Sequence, residues 1–320
     1  MINHHRGAYY MPTTPWTARP KQEIDKEAYF QQIQRLIPAA RSIICGAATG
    51  EAYEIAPREM IDLVAIAIKA AGGKANVYGS LPWETASAVS VCESIMELGA
   101  AGAMELPPTY AYVGQHGIEQ RYRATSAACG QNLIVYAKGD SGVIPSDAII
   151  AKLAGEGLIC AVKRACDSAP FETTAKAVNN ANPAVLKIQG AAERFVPGVV
   201  GIADGYTTGS GVVFPNISRQ IETAFLNENL AEVRRLINLF EPIELMRAQH
   251  ATAYNIAPLK WLLKNLYHIG NGEVRSRFMD LLPADEKALR KIGEEVAAEE
   301  KEGRSVGVRE ATANGEVLIR

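Results

Sequence analysis

Short apolar runs alternate with amphipathic stretches along most of the chain. Each run is five or six residues long and is bounded by polar residues or glycine, as expected for a buried β-strand. The runs predict eight strands, at residues 7–11, 42–46, 75–79, 101–106, 133–137, 158–163, 184–188 and 198–203.

The stretches between these runs have the periodicity of helices with one apolar face. Residues 57–71 bring Met60, Val64 and Ile68 to one face and open with Pro57, a residue favoured in the first turn of a helix. The other helices predicted in this part of the chain are 84–98, 115–128 and 146–154, the last capped by Ser146.

Regular alternation of strands and helices implies a parallel sheet with right-handed crossovers. Eight such units favour an α/β fold of the closed (β/α)8 type, the TIM barrel. An open, doubly wound sheet is the alternative. That fold normally carries a glycine-rich fingerprint after its first strand, and residues 12–15, Pro-Thr-Thr-Pro, do not form one.

The pattern changes after residue 240. Helices are predicted at 245–253, 258–267 and 285–299, with no strands between them. We therefore divide the chain into a barrel domain, residues 1–240, and a C-terminal helical extension packed on it, residues 241–320. Near the end of the chain, Asn314-Gly315 between two β-prone runs predicts a hairpin within 307–320.

Composition narrows the possible functions. The 320 residues carry a net charge of −2, which argues against binding to nucleic acid or to an anionic membrane. No apolar stretch reaches the roughly 18 residues of a membrane-spanning helix, and residues 1–6 lack the apolar core of a signal peptide. Five cysteines without CxxC spacing are typical of reduced thiols, so we expect a cytoplasmic protein.

Lys163 is the strongest candidate for chemistry. It closes the apolar run 158–163, and the chemistry of a parallel barrel takes place at the C-terminal ends of its strands. Burying an ammonium is costly, so a lysine in this position either finds a partner or loses its charge. A neutral amine is what attack on a carbonyl to form a Schiff base requires. Tyr136 ends the neighbouring strand and is a candidate proton relay beside the lysine.

Three loops at the same end of the barrel carry further candidates. After the second strand, Ala48, Thr49 and Gly50 could clamp a carboxylate with backbone N–H groups and one hydroxyl; a tight turn without a ligand is the alternative. Tyr110 follows the fourth strand and either transfers protons or simply packs its ring. The glycine-rich stretch 205–211 is either a phosphate-binding loop or an ordinary connection.

A metal site has no support in the sequence. The five histidines fit no metal-ligand spacing, and the cysteines are better explained as small core residues than as nucleophiles. We therefore expect neither a metal nor an organic cofactor.

These motifs, in this order, resemble those of the dihydrodipicolinate synthase / N-acetylneuraminate lyase family of class I aldolases. The resemblance spans nearly the whole chain. Its main motifs are Ala48-Thr49-Gly50-Glu51, similar to Gly-Thr-Thr-Gly-Glu or Gly-Ser-Thr-Gly-Glu, then Ile134-Val135-Tyr136, and Ala161-Val162-Lys163-Arg164-Ala165. Further similar positions are Pro108-Thr109-Tyr110 with Gln115 and Gly117, and residues 260–270 with Arg275.

The resemblance implies a barrel with a helical extension, assembled as a homotetramer, that joins or cleaves a pyruvate unit or dehydrates a 2-keto acid. Carried over to this chain, Lys163 attacks the C2 ketone and Tyr136 moves protons. Thr49 and the backbone of its loop hold the substrate carboxylate, and Tyr110 takes the place of a tyrosine that often reaches a neighbouring subunit's site. The outer pocket, which would determine the substrate, is expected to be lined by Lys138, Asp140, Asp204 and Tyr206.

The chain departs from the family pattern at two places. Ala48 stands where the signature loop has its first hydroxyl, so a proton-relay group is missing and the carboxylate site has fewer donors. After Tyr136, true dihydrodipicolinate synthases have an asparagine and then an arginine that grips the second substrate, whereas this chain has Ala137-Lys138-Gly139-Asp140. A lysine lacks the bidentate fork of arginine, so lysine biosynthesis is not the expected role.

The leading hypothesis is a Schiff-base-forming lyase acting on a 2-keto acid, either an aldolase using pyruvate or a dehydratase of a 2-keto-3-deoxy sugar acid. A second is a non-catalytic relative that binds a small carboxylate as a sensor or regulator, which the change at Ala48 would favour. A third is a metal- or phosphate-dependent enzyme using the 205–211 loop. The expected partners are a small 2-keto acid and other copies of the chain, without nucleic acid or membrane.

Overall fold

The computed structural model describes residues 4–106, 113–138, 143–191, 193–275 and 278–302. At its centre is a closed barrel of eight parallel strands, in which the last strand pairs with the first. The strands are β1 Gly7–Tyr10, β2 Ser42–Cys45, β3 Asn76–Leu81, β4 Gly102–Glu105, β5 Leu133–Lys138, β6 Ala161–Ala165, β7 Leu186–Gln189 and β8 Gly205–Thr208. The predicted (β/α)8 barrel is confirmed, and the open sheet is excluded.

Helices cover the outside of the barrel. They are α1 Lys26–Leu36, α2 Pro57–Ala71, α3 Thr85–Glu97, α4 Gln115–Ala128, α5 Asp147–Gly155, α6 Ser168–Ala181, α7 Ser210–Val213, α8 Pro215–Leu226, α9 Leu230–Arg247, α10 Ala257–Tyr267 and α11 Pro283–Glu302. The helices predicted between residues 57 and 154 are confirmed within one residue at each end. Ser146 is the N-cap of α5, and its hydroxyl accepts a hydrogen bond from the Ile149 N–H.

Apolar side chains form one cluster inside the barrel and a larger one between the sheet and the helices. Side chains alternate along a strand, so Val135 and Val162 face the helices while Tyr136 and Lys163 face the barrel interior. The alternation of side chains that builds the core therefore also directs Tyr136 and Lys163 into the barrel.

The eighth strand corrects the sequence prediction. Residues 198–203 do not form a strand; they overlap the end of a 3₁₀ helix, Glu193–Val199, and the strand is β8. Three of the four β8 residues, Tyr-Thr-Thr, are good strand formers. Gly205 is required at its start, because a Cβ there would collide with the carbonyl oxygen of Gly7 on the paired strand β1. That glycine made the strand resemble a loop.

The C-terminal part is helical, as predicted, but its boundaries differ. Helix α9 continues across residue 240, so the division proposed there falls inside one helix. The helix predicted at 245–253 is wrong: α9 ends at Arg247, and residues 250–252 turn with left-handed φ angles of 51°, 52° and 69°. The helices predicted at 258–267 and 285–299 correspond to α10 and α11. The hairpin predicted within 307–320 lies outside the described residues.

Within the described ranges, none of the helices combines the length and the hydrophobicity needed to cross a bilayer.

Candidate active site

Lys163 and Tyr136 lie side by side in the barrel. They are register partners on β6 and β5, and the Lys163 Nζ lies 3.2 Å from the centre of the Tyr136 ring. Lys163 is only 2% exposed. Both residues line a cavity of about 660 Å³ at the C-terminal end of the barrel strands, so the predicted pair of catalytic side chains is brought together.

The environment of Lys163 favours its neutral form. Burial lowers the pKa of Lys163 well below that of a free lysine, and the positive charge of Lys138 lowers it further. Contact with the face of the Tyr136 ring acts in the opposite direction, since it favours the charged form. Among the described residues, no carboxylate offsets the burial. The neutral amine is the form that attacks a carbonyl carbon.

The Thr49 turn lies in the same cavity. Ala48–Gly50 form one turn of 3₁₀ helix, and Ala48 and the buried Thr49 both line the cavity. Gly50 has a structural role: its N–H donates to the Ala47 carbonyl at 2.8 Å, and its own carbonyl accepts from the Thr14 hydroxyl at 2.7 Å. Gly50 therefore shapes the turn, while Thr49 is a residue of the turn that lines the cavity.

Glu51 anchors this turn to the C-terminal extension. Its buried carboxylate accepts hydrogen bonds from Trp16 Nε1 at 3.0 Å, Lys260 Nζ at 2.5 Å and the Arg275 N–H at 2.7 Å. Burial lowers the pKa of Lys260 to about 8 in spite of this pairing. No role for Glu51 followed from the sequence, because Lys260 and Arg275 lie 209 and 224 residues away from it.

The cavity extends from Lys163 to the C-terminal helices. Its outer wall includes the segment 248–256, which connects α9 to α10, and Phe278. Lys138, at the end of β5, also lines it, as expected from the sequence. A volume of about 660 Å³ is within the range of small-molecule sites.

Asp204 lies at the opposite end of the barrel. It directly precedes β8, and its carboxylate pairs with Lys187 Nζ at 2.6 Å and with Arg6 Nη2 at 2.9 Å. The expectation that Asp204 lines the outer pocket is therefore wrong. The error followed from placing the eighth strand too early, which moved Asp204 from the start of a strand to its end.

Tyr206 also lies outside the cavity. It stands within β8 and points toward the helices, where its ring packs edge-on against Phe225 and its hydroxyl donates to the Ser218 carbonyl. Thr207, the next residue along the strand, lines the cavity instead. The predicted binding role of Tyr206 is therefore corrected by the same shift of the strand.

A buried carboxylate occupies the glycine-rich turn after β8. The Glu193 Oε1 accepts hydrogen bonds from the N–H groups of Gly209 and Ser210 and from the Thr208 hydroxyl, each at 2.8 Å. These donors would be needed to bind a phosphate, so the phosphate hypothesis for residues 205–211 is contradicted. Glu193 lines the cavity as well. It is the first residue of the 3₁₀ helix Glu193–Val199, in a stretch without a motif, so no sequence signal marked it.

Tyr110 and Asp140 lie outside the described residues, and their roles stay predictions. In the described part of the chain, no group of three or more His, Cys, Asp or Glu side chains is arranged to hold a metal ion. All five cysteines are free thiols, and three of them are buried.

Solved structures with the same fold include enzymes of two kinds. Dihydrodipicolinate synthase from Oceanobacillus iheyensis superposes with a TM-score of 0.83 at 23% identity, over 92% of this chain and 97% of the other. Sialic acid aldolase from Ruminococcus gnavus superposes with a TM-score of 0.83 at 18% identity, over 93% of this chain and 99% of the other. At these identities the likeness establishes the fold.

Sequence relatives cover most of the chain. A probable 5-dehydro-4-deoxyglucarate dehydratase from Streptomyces griseus is 27% identical over 297 residues, 89% of this chain and 90% of the relative. A protein of the same name from Rhizobium rhizogenes is 27% identical over 266 residues, 81% of this chain and 85% of the relative. The model of the dihydrodipicolinate synthetase family matches residues 6–297. The chain therefore belongs to the dihydrodipicolinate synthetase family, and it is a lyase or dehydratase of that class.

Proposed function

We propose that the protein is a Schiff-base-forming lyase that acts on a 2-keto acid. The observation that carries this proposal is the contact between the Lys163 amine and the Tyr136 ring, in a cavity that Thr49 also lines. Burial favours the neutral amine, and imine chemistry on a ketone requires no metal and no organic cofactor.

The first step joins Lys163 to the substrate. The Nζ bonds to C2, and the carbonyl oxygen takes up two protons and leaves as water, so that a protonated imine remains. One of these protons comes from the amine and the other from an acid in the site. We assign the proton transfers to the Tyr136 hydroxyl, because its ring contacts the reacting nitrogen.

The protonated imine then acts as an electron sink for C3. In a dehydratase, C3 loses a proton and C4 loses its hydroxyl, which leaves as water, so a carbon–carbon double bond forms between them. In an aldolase, the bond between C3 and C4 breaks instead. Addition of water to the imine releases the product and returns Lys163 to its free form.

The substrate carboxylate is assigned to the Thr49 turn. Thr49 lines the cavity that contains Lys163, and the neighbouring Glu51 accepts three hydrogen bonds that hold the turn in place. A carboxylate bound there would fix the C2 ketone next to the amine, and correct positioning is a large part of any such rate enhancement. Ala48 contributes no hydroxyl, so Thr49 is the donor side chain of the turn.

Within this class we propose dehydration of a 2-keto-3-deoxy sugar acid. Two relatives that cover most of the chain are named 5-dehydro-4-deoxyglucarate dehydratases. The stretch after Tyr136 also lacks the arginine expected of a dihydrodipicolinate synthase. 5-Dehydro-4-deoxyglucarate is therefore the first substrate to test. A homotetramer in which Tyr110 serves a neighbouring site, and a cytoplasmic location, complete the proposal.

Trapping with borohydride tests the proposal. The protein is incubated with pyruvate, longer 2-keto acids or 5-dehydro-4-deoxyglucarate, reduced with borohydride, and weighed intact by mass spectrometry. A covalent adduct of one substrate residue per chain is expected for the wild type and not for Lys163→Ala. Absence of an adduct across the whole series would overturn the proposal. Thermal stabilisation by the same acids without any adduct would instead support a non-catalytic binding protein.

A further inference from the structure

Three charged side chains form a buried cluster between the barrel and α9. The Arg247 Nη1 lies 2.6 Å from Glu244 Oε1 and 3.6 Å from Glu193 Oε2. Glu193, Glu244 and Arg247 are 2%, 4% and 8% exposed, and all three line the cavity that contains Lys163. The imine chemistry proposed above uses none of them.

Arg247 holds the outer wall of this cavity. Its Nε donates to the Asn255 carbonyl at 2.9 Å, and its Nη2 donates to the Asn255 side-chain oxygen at 2.8 Å. Asn255 belongs to the wall segment 248–256, in which residues 250–252 have left-handed φ angles. None of those three residues is glycine, so their conformation is costly and needs support from its surroundings. Through Asn255, Arg247 fixes the chain three residues beyond this turn.

The turn after β8 is fixed to the same guanidinium. A Cβ on Gly209 would lie 2.9 Å from both terminal nitrogens of Arg247, so only glycine permits this contact. Ser210 donates its hydroxyl to the Glu244 Oε1 at 2.5 Å, and Glu193 holds the backbone of the turn. The loops after β7 and β8, the end of α9 and the wall segment therefore meet at one charged cluster.

The charges of the cluster balance when it carries one proton. Burial and the neighbouring Glu244 raise the pKa of Glu193 to about 7. Burial opposes ionisation of Glu244, but the Arg247 guanidinium lowers its pKa. One carboxylate then neutralises one guanidinium, and the second carboxyl group holds the proton. A buried group of charges is tolerated under such conditions, whereas removing one partner leaves an uncompensated charge.

We infer that this cluster fixes the wall that binds the end of the substrate farthest from Lys163, and that Arg247 is the positioning residue that sets which chain lengths the site accepts. The inference rests on the proposed function, since the imine at Lys163 defines the near end of the substrate. Pyruvate needs only the region between Lys163 and Thr49. A five- or six-carbon acid extends toward the wall segment 248–256, whose shape Arg247 holds.

The test compares short and long 2-keto acids in the trapping reaction. Pyruvate, 2-oxobutyrate, 2-oxoglutarate and 2-oxoadipate are titrated against the wild type and Arg247→Lys, and the half-saturating concentration for adduct formation is measured. Lysine keeps the charge but loses the forked contact with Asn255. We expect a change within about twofold for pyruvate and an increase of about tenfold for the longest acid that the wild type traps, about 1.4 kcal/mol.

Control variants separate this effect from a general loss of stability. Arg121→Lys alters a buried arginine paired with Glu105, outside the cavity lining, and should affect short and long acids equally. Asn255→Ala removes one acceptor of Arg247 and should change selectivity in the same direction by a smaller factor; it decides the matter if Arg247→Lys does not fold. Equal changes for all acids, unchanged selectivity, or a wild type that traps nothing longer than pyruvate would overturn the inference. A wild type that traps no acid at all would instead overturn the proposed function.

Discussion

Gly190 and Lys163 are packed so closely that a Cβ on Gly190 would lie 2.7 Å from the Lys163 Cγ and 3.2 Å from its Nζ. Gly190 directly follows β7, and its N–H donates to the Arg164 carbonyl at 2.7 Å, which fixes its backbone beside β6. The absence of a side chain at residue 190 therefore gives the lysine its place against the Tyr136 ring.

Gly190→Ala should displace the Lys163 amine. The added methyl group overlaps the lysine side chain, and overpacking a tight site costs about 1–3 kcal/mol. We expect the rate of adduct formation with pyruvate to fall by about tenfold or more, since misplacing a reacting group by about 1 Å costs about that much or more. Gly155→Ala is the matched control, because its Cβ would meet only ordinary contacts at the end of α5. Equal trapping rates in the two variants would contradict the packing argument.

Tyr136→Phe removes the hydroxyl and keeps the ring, so it distinguishes the contributions of the two groups to the reaction. The ring contact with Lys163 is kept, so the fold and the burial of the amine should be retained. Loss of the proton donor should slow imine formation by about 100-fold to 10,000-fold. Tyr122→Phe removes a buried hydroxyl that has no hydrogen-bond partner among the described residues, and it should leave the rate unchanged. A Tyr136→Phe enzyme that forms the imine at the wild-type rate would remove Tyr136 from the mechanism.

Lys163→Met should stabilise the protein, and the gain should depend on pH. Burial lowers the pKa of Lys163 in the folded state, so the folded protein releases this proton at a lower pH than the unfolded chain does. The cost of burying the amine is therefore largest below the folded-state pKa and disappears as the pH rises toward the ordinary value of 10.5. Near pH 6 we expect the free energy of unfolding of the variant to exceed that of the wild type by about 1 kcal/mol or more.

Urea unfolding of both proteins from about pH 6 to about pH 9 measures this difference. The stability of the wild type should approach that of Lys163→Met as the pH increases. Lys176→Met, at an exposed position of α6, should differ from the wild type by an amount that does not vary with pH. A difference at Lys163 that is equally independent of pH would mean that the amine is not perturbed by burial.

Much of the fold could be predicted because buried strands and amphipathic helices leave continuous signals in the sequence. β5 is largely apolar on both faces, and the apolar run 158–162 leads into β6, so both strands were visible in the sequence and their order placed Tyr136 beside Lys163. β8 gave no such signal: a glycine opens it and two threonines end it. Its formation depends on pairing with β1, which is a tertiary property. Because this strand was predicted too early in the chain, Asp204 and Tyr206 were assigned to the wrong places.

The groups that support the site could not be predicted, because their partners meet only in the folded chain. Glu51 is bound by residues from the C-terminal extension, and Glu193 and Arg247 come from different elements without a motif. A single sequence contains no periodicity that relates such positions. Lys163, Tyr136 and Thr49 could be picked out from the sequence as candidates for contact with the substrate, while the groups that hold them in place required the structure.

Breaking the Glu51–Lys260 ion pair should cost far more than breaking a surface pair. Both side chains are buried, so Glu51→Gln leaves an ammonium without a carboxylate, and about 3–5 kcal/mol of stability should be lost. The double variant Glu51→Gln/Lys260→Met removes the isolated charge and should recover part of this loss. The exposed pair Lys176–Glu172 is the control, and its removal should cost at most about 1 kcal/mol.

The same variants report on the Thr49 turn. Because Glu51 anchors the turn, the half-saturating pyruvate concentration in the trapping reaction should rise in Glu51→Gln, and the control pair should not change it. Urea unfolding and borohydride trapping measure the two effects separately. If Glu51→Gln is no less stable than Glu51→Gln/Lys260→Met, the stability of the buried pair does not depend on charge compensation.

Peptide mapping of the trapped protein shows whether Lys163 is the residue that forms the imine. The wild type is treated with pyruvate and borohydride near pH 7, digested, and sequenced by tandem mass spectrometry. We predict one modified position, Lys163, and no adduct in Lys163→Ala. An adduct on Lys138 or on surface lysines with Lys163 unmodified, or equal labelling of Lys163→Ala, would show that Lys163 is not the imine-forming residue.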